Sequence, residues 1–315
     1  MKLEAAIDEF VSYKQALGNS YKWESNCLKA FLRNTGNLDL GDLSVQHAHA
    51  FLPIEETGLV TGGWFGKYET LDRFFRFAIV RGYLQHRILP TVLPERPPAF
   101  VPYIYSIADM RRLLGVPDSH YRPTNPLSPY TMRTLLLLLY GTGLRIGEAL
   151  KLDLVNVDLR NGVLTVRETK LFKSRLVPVG KDLLKILRLY WKRQRFDSAR
   201  EQDTSFLRTK RDTSVTHDHA DHEFEQLRTE AGVLRFDNAR YQPRLHDFRH
   251  TFAVNRLVTW YREGKNVQRL LPQLSTYLGH VSIDETATYL RMTPELLHEA
   301  NERFEHYSTG EGRHD

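Results

Sequence analysis

Apolar residues recur at three-to-four spacing in three stretches of the first ninety residues. The stretches are AIDEFVSYKQAL, SYKWESNCLKAFLRNT and GKYETLDRFFRFAIVRGYL. This period collects apolar side chains on one face of a helix, so the sequence predicts a small bundle of amphipathic helices. Ser20 is the predicted N-cap of the second helix. Cys27 lies within the apolar pattern of that helix and is predicted to be a core residue.

A proline-rich stretch follows the predicted bundle. Residues 85–104, QHRILPTVLPERPPAFVPYI, contain five prolines and no sustained periodicity. Proline fixes φ and removes a hydrogen-bond donor, which predicts an extended linker. The chain is therefore divided into a helical N-terminal domain at 1–88, a linker at 89–104 and a larger domain at 105–315.

The larger domain changes its period twice. Ser106 and Asp109 form a predicted capping pair that opens the helix IADMRRLLGV. The stretch LDLVNVDLRNGVLTVRETKLFKSRLVPVG alternates, and Asn161 and Gly162 within it are a hairpin signal. The fold class is thus mainly α with a small antiparallel sheet of two or three strands. Helical patterns occupy residues 129–140, 181–195, 218–231, 246–262, 266–278 and 283–305.

Composition narrows the class of protein. The 315 residues include a single cysteine, which excludes a disulfide framework and any multi-cysteine zinc site. The longest apolar run, LLLLLY at 135–140, is too short to span a bilayer, and the N-terminus lacks the apolar run of a signal peptide. We therefore expect a location in the cytoplasm, with the nucleoid.

The net charge of +6 lies entirely after residue 100, because the first hundred residues carry 11 basic and 11 acidic side chains. A sequence pI near 9.3 is compatible with a polyanionic partner. Cationic side chains also lie on the outer faces of the predicted bundle, where they either contact phosphates or form a solvated surface. These residues are Lys14, Lys22, Lys29, Lys67, Arg73 and Arg76.

Two stretches of the larger domain carry candidate phosphate ligands. In GTGLRIGEAL a helix begins at about Ile146, so Arg145 lies at a helix N-terminus, where an anion is favoured. The stretch TKLFKSRLVPV places Lys170, Lys173 and Arg175 on a turn between strands. A lysine on such a turn can donate a proton to a leaving oxygen, or the three charges can simply keep the hairpin soluble.

Histidines supply two further candidates. In HDFRHTFA, His246 and Arg249 lie three residues apart on one helical face, whereas His250 is expected elsewhere on the helix in a structural role. The stretch THDHADHEF has the spacing HxHxDH of two-metal hydrolases, with His217, His219, Asp221 and His222 as candidate ligands. It runs directly into a helical pattern, so we interpret it as a histidine-rich helix start rather than a metal site.

Five strings in order change the meaning of the separate motifs. They are GTGLRIGEAL, TKLFKSRLVP, HDFRHTFA, YLGH and a tyrosine, Tyr289, nine residues after the histidine of YLGH. Together they resemble the tyrosine recombinase (phage integrase) family over residues 105–300, with the helical bundle and linker similar to that family's core-binding domain. The resemblance implies a catalytic set of Arg145, Lys170, His246, Arg249, His280 and Tyr289.

The resemblance also implies the reaction. Tyr289 would attack a DNA phosphate to form a 3′-phosphotyrosine, with Arg145 and Arg249 on the non-bridging oxygens and Lys170 as the general acid. His246 would assist proton transfer from Tyr289, and His280 would bind the phosphate. Glu148 and Asp247 are expected to support the two arginines. The scheme needs no metal or cofactor.

The implied partners are double-stranded DNA and further copies of the chain, with four subunits on two sites and possible partner recombinases. The C-terminal stretch PELLHEANERFEHY is predicted to cover its own domain or to dock on a neighbouring subunit. The stretches PYIYSIADM and TKLFKSRLVPV resemble recombinases of mobile elements rather than enzymes that resolve chromosome dimers. DNA contacts are expected at Lys22, Lys67, Arg73, Arg76, Lys173 and Arg175.

Three rival functions stay open at this point. A type IB topoisomerase-like relaxase would use the same residue types as a monomer on nonspecific DNA. A DNA-binding accessory protein would have the fold without cleaving, although candidates at all six catalytic positions argue against it. A metal hydrolase built on the HxHxDH stretch would be sensitive to chelators.

Overall fold

A computed structural model of the chain describes residues 1–54, 60–97, 100–120, 124–167, 174–197, 204–237, 239–280 and 282–291. These residues form two compact units, Met1–Phe100 and the described part of the chain from Val101 onward. Within the described residues no helix has both the length and the apolar character needed to cross a membrane. The expected location, in the cytoplasm with the nucleoid, stays a prediction.

The first unit is a helical bundle, as the spacing of its apolar residues predicts. Most of its phenylalanine side chains are buried in one core, and the rings of Phe10 and Phe74 lie 5.7 Å apart. Cys27 is buried as predicted, and burial raises the pKa of its thiol to about 11. The helices are α1 (Leu3–Ala16), α2 (Lys22–Thr35), α3 (Val45–Phe51) and α4 (Gly62–Val80), with a 3₁₀ turn at Leu40–Asp42.

Two details of the first unit differ from the sequence predictions. The N-cap of α2 is Tyr21, with φ +47°, so the assignment of Ser20 was wrong. Helix α3 was not predicted, because its seven residues, VQHAHAF, are too few to show a helical period and only Ala48 and Phe51 among them are buried.

The proline-rich stretch begins as part of the first unit. Leu84, Ile88 and Leu89 pack into the aromatic core, and the Tyr68 hydroxyl donates a hydrogen bond to the carbonyl of Pro90 at 3.1 Å. The described residues between Pro90 and Ser106 contain no helix or strand. A domain boundary at residue 89 stays a prediction.

The second unit is mainly helical with one small sheet, which confirms the predicted fold class. Ser106 and Asp109 cap its first helix reciprocally, since each side chain accepts a hydrogen bond from the main-chain N–H of the other, at 3.1 and 2.8 Å. Its helices are α5 (Ile107–Gly115), α6 (Pro129–Thr142), α7 (Ile146–Leu150), α8 (Lys181–Asp197), α9 (His217–Glu230), α10 (Asp247–Arg262), α11 (Val267–Leu278) and α12 (Ile283–Ala287).

The sheet has three antiparallel strands in the order β1 (Val157–Asp158), β2 (Val163–Val166) and β3 (Arg175–Pro178). The predicted Asn161–Gly162 turn joins β1 to β2. Gly162 has φ +69°, and Asp158 Oδ1 accepts the main-chain N–H of Asn161 at 2.9 Å. The side chains of the leucine run in α6 are mostly buried, and that helix packs against α8, α9 and α10.

The end of the described chain is shorter in helix than predicted. A helix was expected from 283 to 305, but α12 ends at Ala287 and a 3₁₀ turn, Thr288–Arg291, follows. Residues of the predicted C-terminal docking helix lie outside the described residues. Tyr289 belongs to the 3₁₀ turn and is a member of a small core with the apolar faces of α10 and α11.

Candidate active site

Arg145 occupies the predicted position at the start of α7. Helix α6 ends at Thr142, and its C-cap residue, Gly143, has a left-handed φ of +64°. Arg145 is the N-cap residue of the next helix. A Cβ on Gly143 would lie 2.5 Å from the ring of Phe252. Both the backbone conformation and the close approach therefore require glycine here. Arg145 keeps a third of its side chain exposed.

Arg249 is buried in the first turn of α10. Its Nη1 donates to the carbonyl of Gly143 at 3.0 Å, and its Nη2 donates to the carbonyl of Leu278 at 2.7 Å. Burial, together with the positive charge of Arg145, lowers the pKa of Arg249 to about 10. The guanidinium is therefore still charged at neutral pH.

Tyr105 packs against the start of α10 and stabilises it. The ring of Tyr105 stacks on Phe248 at 4.1 Å, and its hydroxyl donates to the carbonyl of Arg244 at 3.0 Å. Its main-chain N–H donates to Thr251 Oγ1 at 2.9 Å. Asp247 was expected to support the catalytic arginines, but its carboxylate accepts from the N–H and Nη2 of Arg244 instead.

Glu148 supports Arg145, as expected, and it does so together with a second arginine. Its Oε1 accepts from Nη1 of Arg145 at 3.0 Å and from Nη1 of Arg175 at 3.1 Å. Its Oε2 accepts from the N–H of Arg145 at 3.0 Å and from Nη2 of Arg175 at 2.6 Å. Burial acts to raise the pKa of Glu148, but the hydrogen bonds and charges of the two arginines outweigh it and hold the pKa below its usual value.

Three consecutive carbonyls at the C-terminal end of α11 each accept from a different arginine. The carbonyl of Tyr277 accepts from Nε of Arg175 at 2.9 Å, and that of Leu278 from Arg249 as described above. The carbonyl of Gly279 accepts from both Nη atoms of Arg145, at 3.3 and 3.4 Å. The last carbonyls of a helix lack intrahelical partners and lie at the negative end of its dipole, which suits cationic donors.

Tyr289 lies beside this arginine cluster. The residue is 4% exposed, and its ring lies 5.5 Å from the ring of His250 and 6.0 Å from that of His280. Burial raises the pKa of Tyr289, while the charge of Arg249 and a hydrogen bond with that arginine oppose the rise. The phenol of Tyr289 is therefore buried in the core and is still close enough to Arg249 to be affected by its positive charge.

His280 follows the glycine that ends α11, with φ +70° at Gly279. Its Nδ1 shares a hydrogen bond of 2.6 Å with Oγ1 of Thr286 on α12. Burial and the neighbouring positive charges of Arg249 and Arg145 lower the pKa of His280 to about 3. The imidazole is neutral at physiological pH.

His246 is the N-cap residue of α10 and remains exposed to solvent. The protein atoms around its imidazole partly remove it from water, and this desolvation lowers its pKa. The positive charge of Arg249 lowers the pKa further. The prediction that His250 lies elsewhere was wrong, because its ring is 5.0 Å from that of His246 and adjoins Tyr289. A spacing of four residues places both rings on one helical face, and that spacing was the available signal.

The remaining predicted site residues are distributed over both units. Lys170 and Lys173 lie outside the described residues. In the first unit Lys22, Lys67, Arg73 and Arg76 are exposed; Arg76 pairs with Asp72 at 2.9 Å, and Lys67 lies over the ring of Phe51. Of the further outer-face cations, Lys29 is exposed and Lys14 is partly buried.

The HxHxDH stretch forms the start of α9, as predicted. Thr216 caps the helix, and surface pairs join His217 to Asp221 at 2.8 Å and His222 to Gln226 at 2.8 Å. No group of three or more His, Cys, Asp or Glu side chains that could hold a metal ion occurs in the part of the chain described by the structure.

The chain is similar to proteins of a known family. The sequence profile of the phage integrase family matches residues 108–295. Integrase/recombinase y4rB of Sinorhizobium fredii is 42% identical over 68% of this chain and 69% of its own length. Integrase/recombinase y4rE of the same organism is 32% identical to this chain over 94% of both chains. Tyrosine recombinase XerC of Oceanobacillus iheyensis is 27% identical over 95% of both.

Solved structures share the fold. The Tn1549 transposon integrase in complex with transposon right end DNA aligns over 98% of this chain and all of its own, with a TM-score of 0.71 and 16% identity. A lambda integrase tetramer bound to a Holliday junction aligns over 92% of this chain and 77% of its own, with a TM-score of 0.66 and 16% identity. The chain thus belongs to the phage integrase family and is a tyrosine site-specific recombinase.

Proposed function

We propose that this recombinase cuts and rejoins double-stranded DNA with Tyr289 as the nucleophile. The observation that carries the proposal is the place of Tyr289, whose ring lies 5.5 Å from that of His250 and 6.0 Å from that of His280. The positive charges of Arg249 and Arg145 act on the same phenol and oppose the rise in its pKa. A phenol has a pKa near 10, so its oxygen needs cationic neighbours to become an effective attacking group.

The two arginines act on the phosphate. Arg145 and Arg249 approach from different helices, and each is held by a main-chain carbonyl through atoms of its guanidinium. Donors that are fixed before the reaction stabilise the charge that develops on the non-bridging oxygens without reorganisation during the reaction. The geometry supports Arg145 and Arg249 in this role.

The covalent step joins the Tyr289 oxygen to phosphorus and breaks the bond from phosphorus to the 5′-oxygen. His246, which has a lowered pKa and is neutral at physiological pH, accepts the phenolic proton. Lys170 supplies a proton to the leaving 5′-oxygen; its position in TKLFKSRLVP supports this role. Attack by a 5′-hydroxyl of a partner strand reverses the step, so no metal, cofactor or net hydrolysis is needed.

His280 is the remaining member of the catalytic set. It directly follows the carbonyl that binds Arg145, and Nδ1 is fixed by Thr286. With Nδ1 held in this way, Nε2 can serve the phosphate as a hydrogen-bonding group. His250 is the histidine that contacts both groups, with its ring 5.0 Å from that of His246 and 5.5 Å from that of Tyr289.

Duplex DNA is held by both units in this proposal. Exposed Lys22, Lys67, Arg73 and Arg76 contribute from the first unit, and Lys173 contributes from the stretch before β3. Recombination requires several copies of the chain on DNA, which the lambda integrase tetramer illustrates for that protein. The likeness to y4rB, y4rE and the Tn1549 integrase supports a role in a mobile genetic element.

Covalent trapping tests the proposal. Wild type and Tyr289→Phe are incubated in EDTA with short nicked duplexes that tile the DNA flanking the gene, so that cleavage beside the nick releases a short fragment and strands the adduct. A protein–DNA adduct that survives denaturation is expected with wild type and not with Tyr289→Phe. Peptide mapping of the adduct should locate the phosphate on Tyr289.

Each alternative has its own outcome. A duplex that wild type binds without any adduct would favour the DNA-binding accessory protein. Rapid relaxation of supercoiled DNA by a monomer would favour the topoisomerase-like relaxase. Cleavage that disappears in EDTA would indicate a metal hydrolase.

A further inference from the structure

We propose that Arg175 is a positioning residue that acts on Arg145 through Glu148, rather than a contact to DNA. The inference rests on the proposed function, because it concerns how the phosphate-binding arginines are held. It replaces the expectation that Arg175 contributes to the DNA-binding surface.

The hydrogen bonds of Arg175 direct its side chain toward the protein rather than toward solvent. Nη1 and Nη2 form a forked pair with the carboxylate of Glu148, and Nε donates to the carbonyl of Tyr277. All three guanidinium nitrogens are thus engaged inside the protein. The side chain is 11% exposed, compared with 33% for Arg145.

The carboxylate of Glu148 is saturated by this arrangement. A carboxylate has about four acceptor sites, and Glu148 accepts four hydrogen bonds, two from Arg145 and two from Arg175. Arg175 occupies one acceptor site on each oxygen of the carboxylate. Arg145 therefore binds the two remaining sites with its main-chain N–H and with Nη1 alone, rather than with both Nη atoms. Without Arg175, the fork of Arg145 could close on both oxygens and turn away from the phosphate.

The end of α11 makes the positioning specific for arginine. The carbonyls of Tyr277 and Gly279 bind Arg175 and Arg145, respectively, so Glu148 and this helix end both bind each of the two guanidinium groups. A lysine at 175 would keep the charge but has no planar fork, and it could not serve Glu148 and Tyr277 in the same geometry.

The variants Arg175→Lys and Arg175→Gln test the proposal on a nicked duplex that wild type cleaves. Arg175→Lys keeps the positive charge, whereas Arg175→Gln keeps a planar donor without it. We expect the single-turnover rate of adduct formation to fall about 100-fold in both, the size of effect that a misplacement of about 1 Å produces. DNA affinity and its salt dependence should match wild type.

A phosphate contact predicts the opposite result. Loss of one phosphate contact reduces the slope of log affinity against log salt by about one. The proposal is overturned if Arg175→Lys forms the adduct at the wild-type rate, or if Arg175→Gln shows that reduced slope with unaltered cleavage of bound DNA. If wild type itself forms no adduct on DNA that it binds, the proposed function fails and this inference fails with it.

A matched control separates positioning from a general loss of stability. Arg133 also binds a carboxylate, Asp118 at 2.6 Å, and two carbonyls, those of Leu114 and Val116, elsewhere in the second unit. Arg133→Lys should lower the unfolding temperature without slowing adduct formation. A double variant Glu148→Ala/Arg175→Gln should be no slower than Glu148→Ala alone, since both residues act through one carboxylate. Additive losses would contradict a shared route.

Discussion

The main chain of Gly279 lies directly against the guanidinium of Arg175. A Cβ built on this glycine would be 2.7 Å from Nη1 of Arg175, and the residue has φ +70°. The glycine of YLGH therefore has two duties: it ends α11 in the left-handed conformation, and it leaves room for the arginine that binds Glu148. Each duty can be tested separately.

Gly279→Ala should destabilise the protein and slow cleavage. The left-handed conformation costs a residue with a Cβ about 1–2 kcal/mol, and the overlap with Arg175 adds about 1–3 kcal/mol. The measurement is urea unfolding, followed by the adduct-formation rate under conditions in which the variant is folded.

Gly264→Ala is the matched control for this substitution. Gly264 has φ +67°, and a Cβ there would have no heavy atom within 4 Å. This variant should lose only the conformational term and cleave DNA at the wild-type rate. Equal effects of the two alanine substitutions would show that contact with Arg175 is unimportant.

Arg249→Lys should abolish most cleavage while retaining the charge. A lysine has no fork with which to bind the carbonyls of Gly143 and Leu278 and still face a phosphate. Loss of a preorganised donor of this kind slows a reaction by about 100- to 1000-fold. The rate of adduct formation on bound duplex is the readout, and exposed Arg256, on the same helix, provides the control Arg256→Lys.

Glu148→Gln should destabilise the protein by about 3 kcal/mol, because it leaves the guanidinium groups of Arg145 and Arg175 without their counter-charge. Glu148 has a lowered pKa, so its contribution is present above the unfolded value near 4.3 and is lost as the pH falls through the folded value. The stability difference from wild type should thus shrink in acid. Asp118→Asn, at a carboxylate that is 55% exposed, should change stability by less than about 1 kcal/mol.

Acid should also act on the protein through His250. Burial, then the charges around it, lower the pKa of His250 to about 3. In the unfolded chain His250 binds a proton near pH 6.5, whereas in the folded chain it does so only near pH 3. The free energy of unfolding therefore falls as the pH drops from about 6.5 toward 3. Urea unfolding over this range should give a shallower pH dependence for His250→Gln than for wild type. Identical slopes would contradict the buried neutral imidazole.

Local patterns of the sequence predicted most of the fold. Helical periodicity predicted α1, α2 and α4 of the bundle, and the Asn161–Gly162 pair marked the hairpin between β1 and β2. The capping pair of Ser106 and Asp109 also formed as predicted. All of these signals act over a few residues, which is why they can be found without a structure.

The support of the site depends on contacts that no local pattern encodes. Arg175 and Glu148 are 27 residues apart in sequence, and Arg249 binds the carbonyl of Gly143 over 106 residues. Main-chain carbonyls as acceptors have no side-chain signature, so the role of the α11 end could not be predicted. His250 was assigned a structural role although its spacing from His246 carried a usable signal.

The three consecutive carbonyls at residues 277–279 tie the three arginines of the cluster to one another through the end of α11. Arg145 and Arg249 come from the starts of two helices and Arg175 from a strand, yet all three donate hydrogen bonds to adjacent peptide groups of one helix end. Such an arrangement has few independent degrees of freedom. A displacement of that helix end shifts the three guanidinium groups in concert, so the site is expected to gain or lose its grip on a phosphate as a whole rather than one arginine at a time.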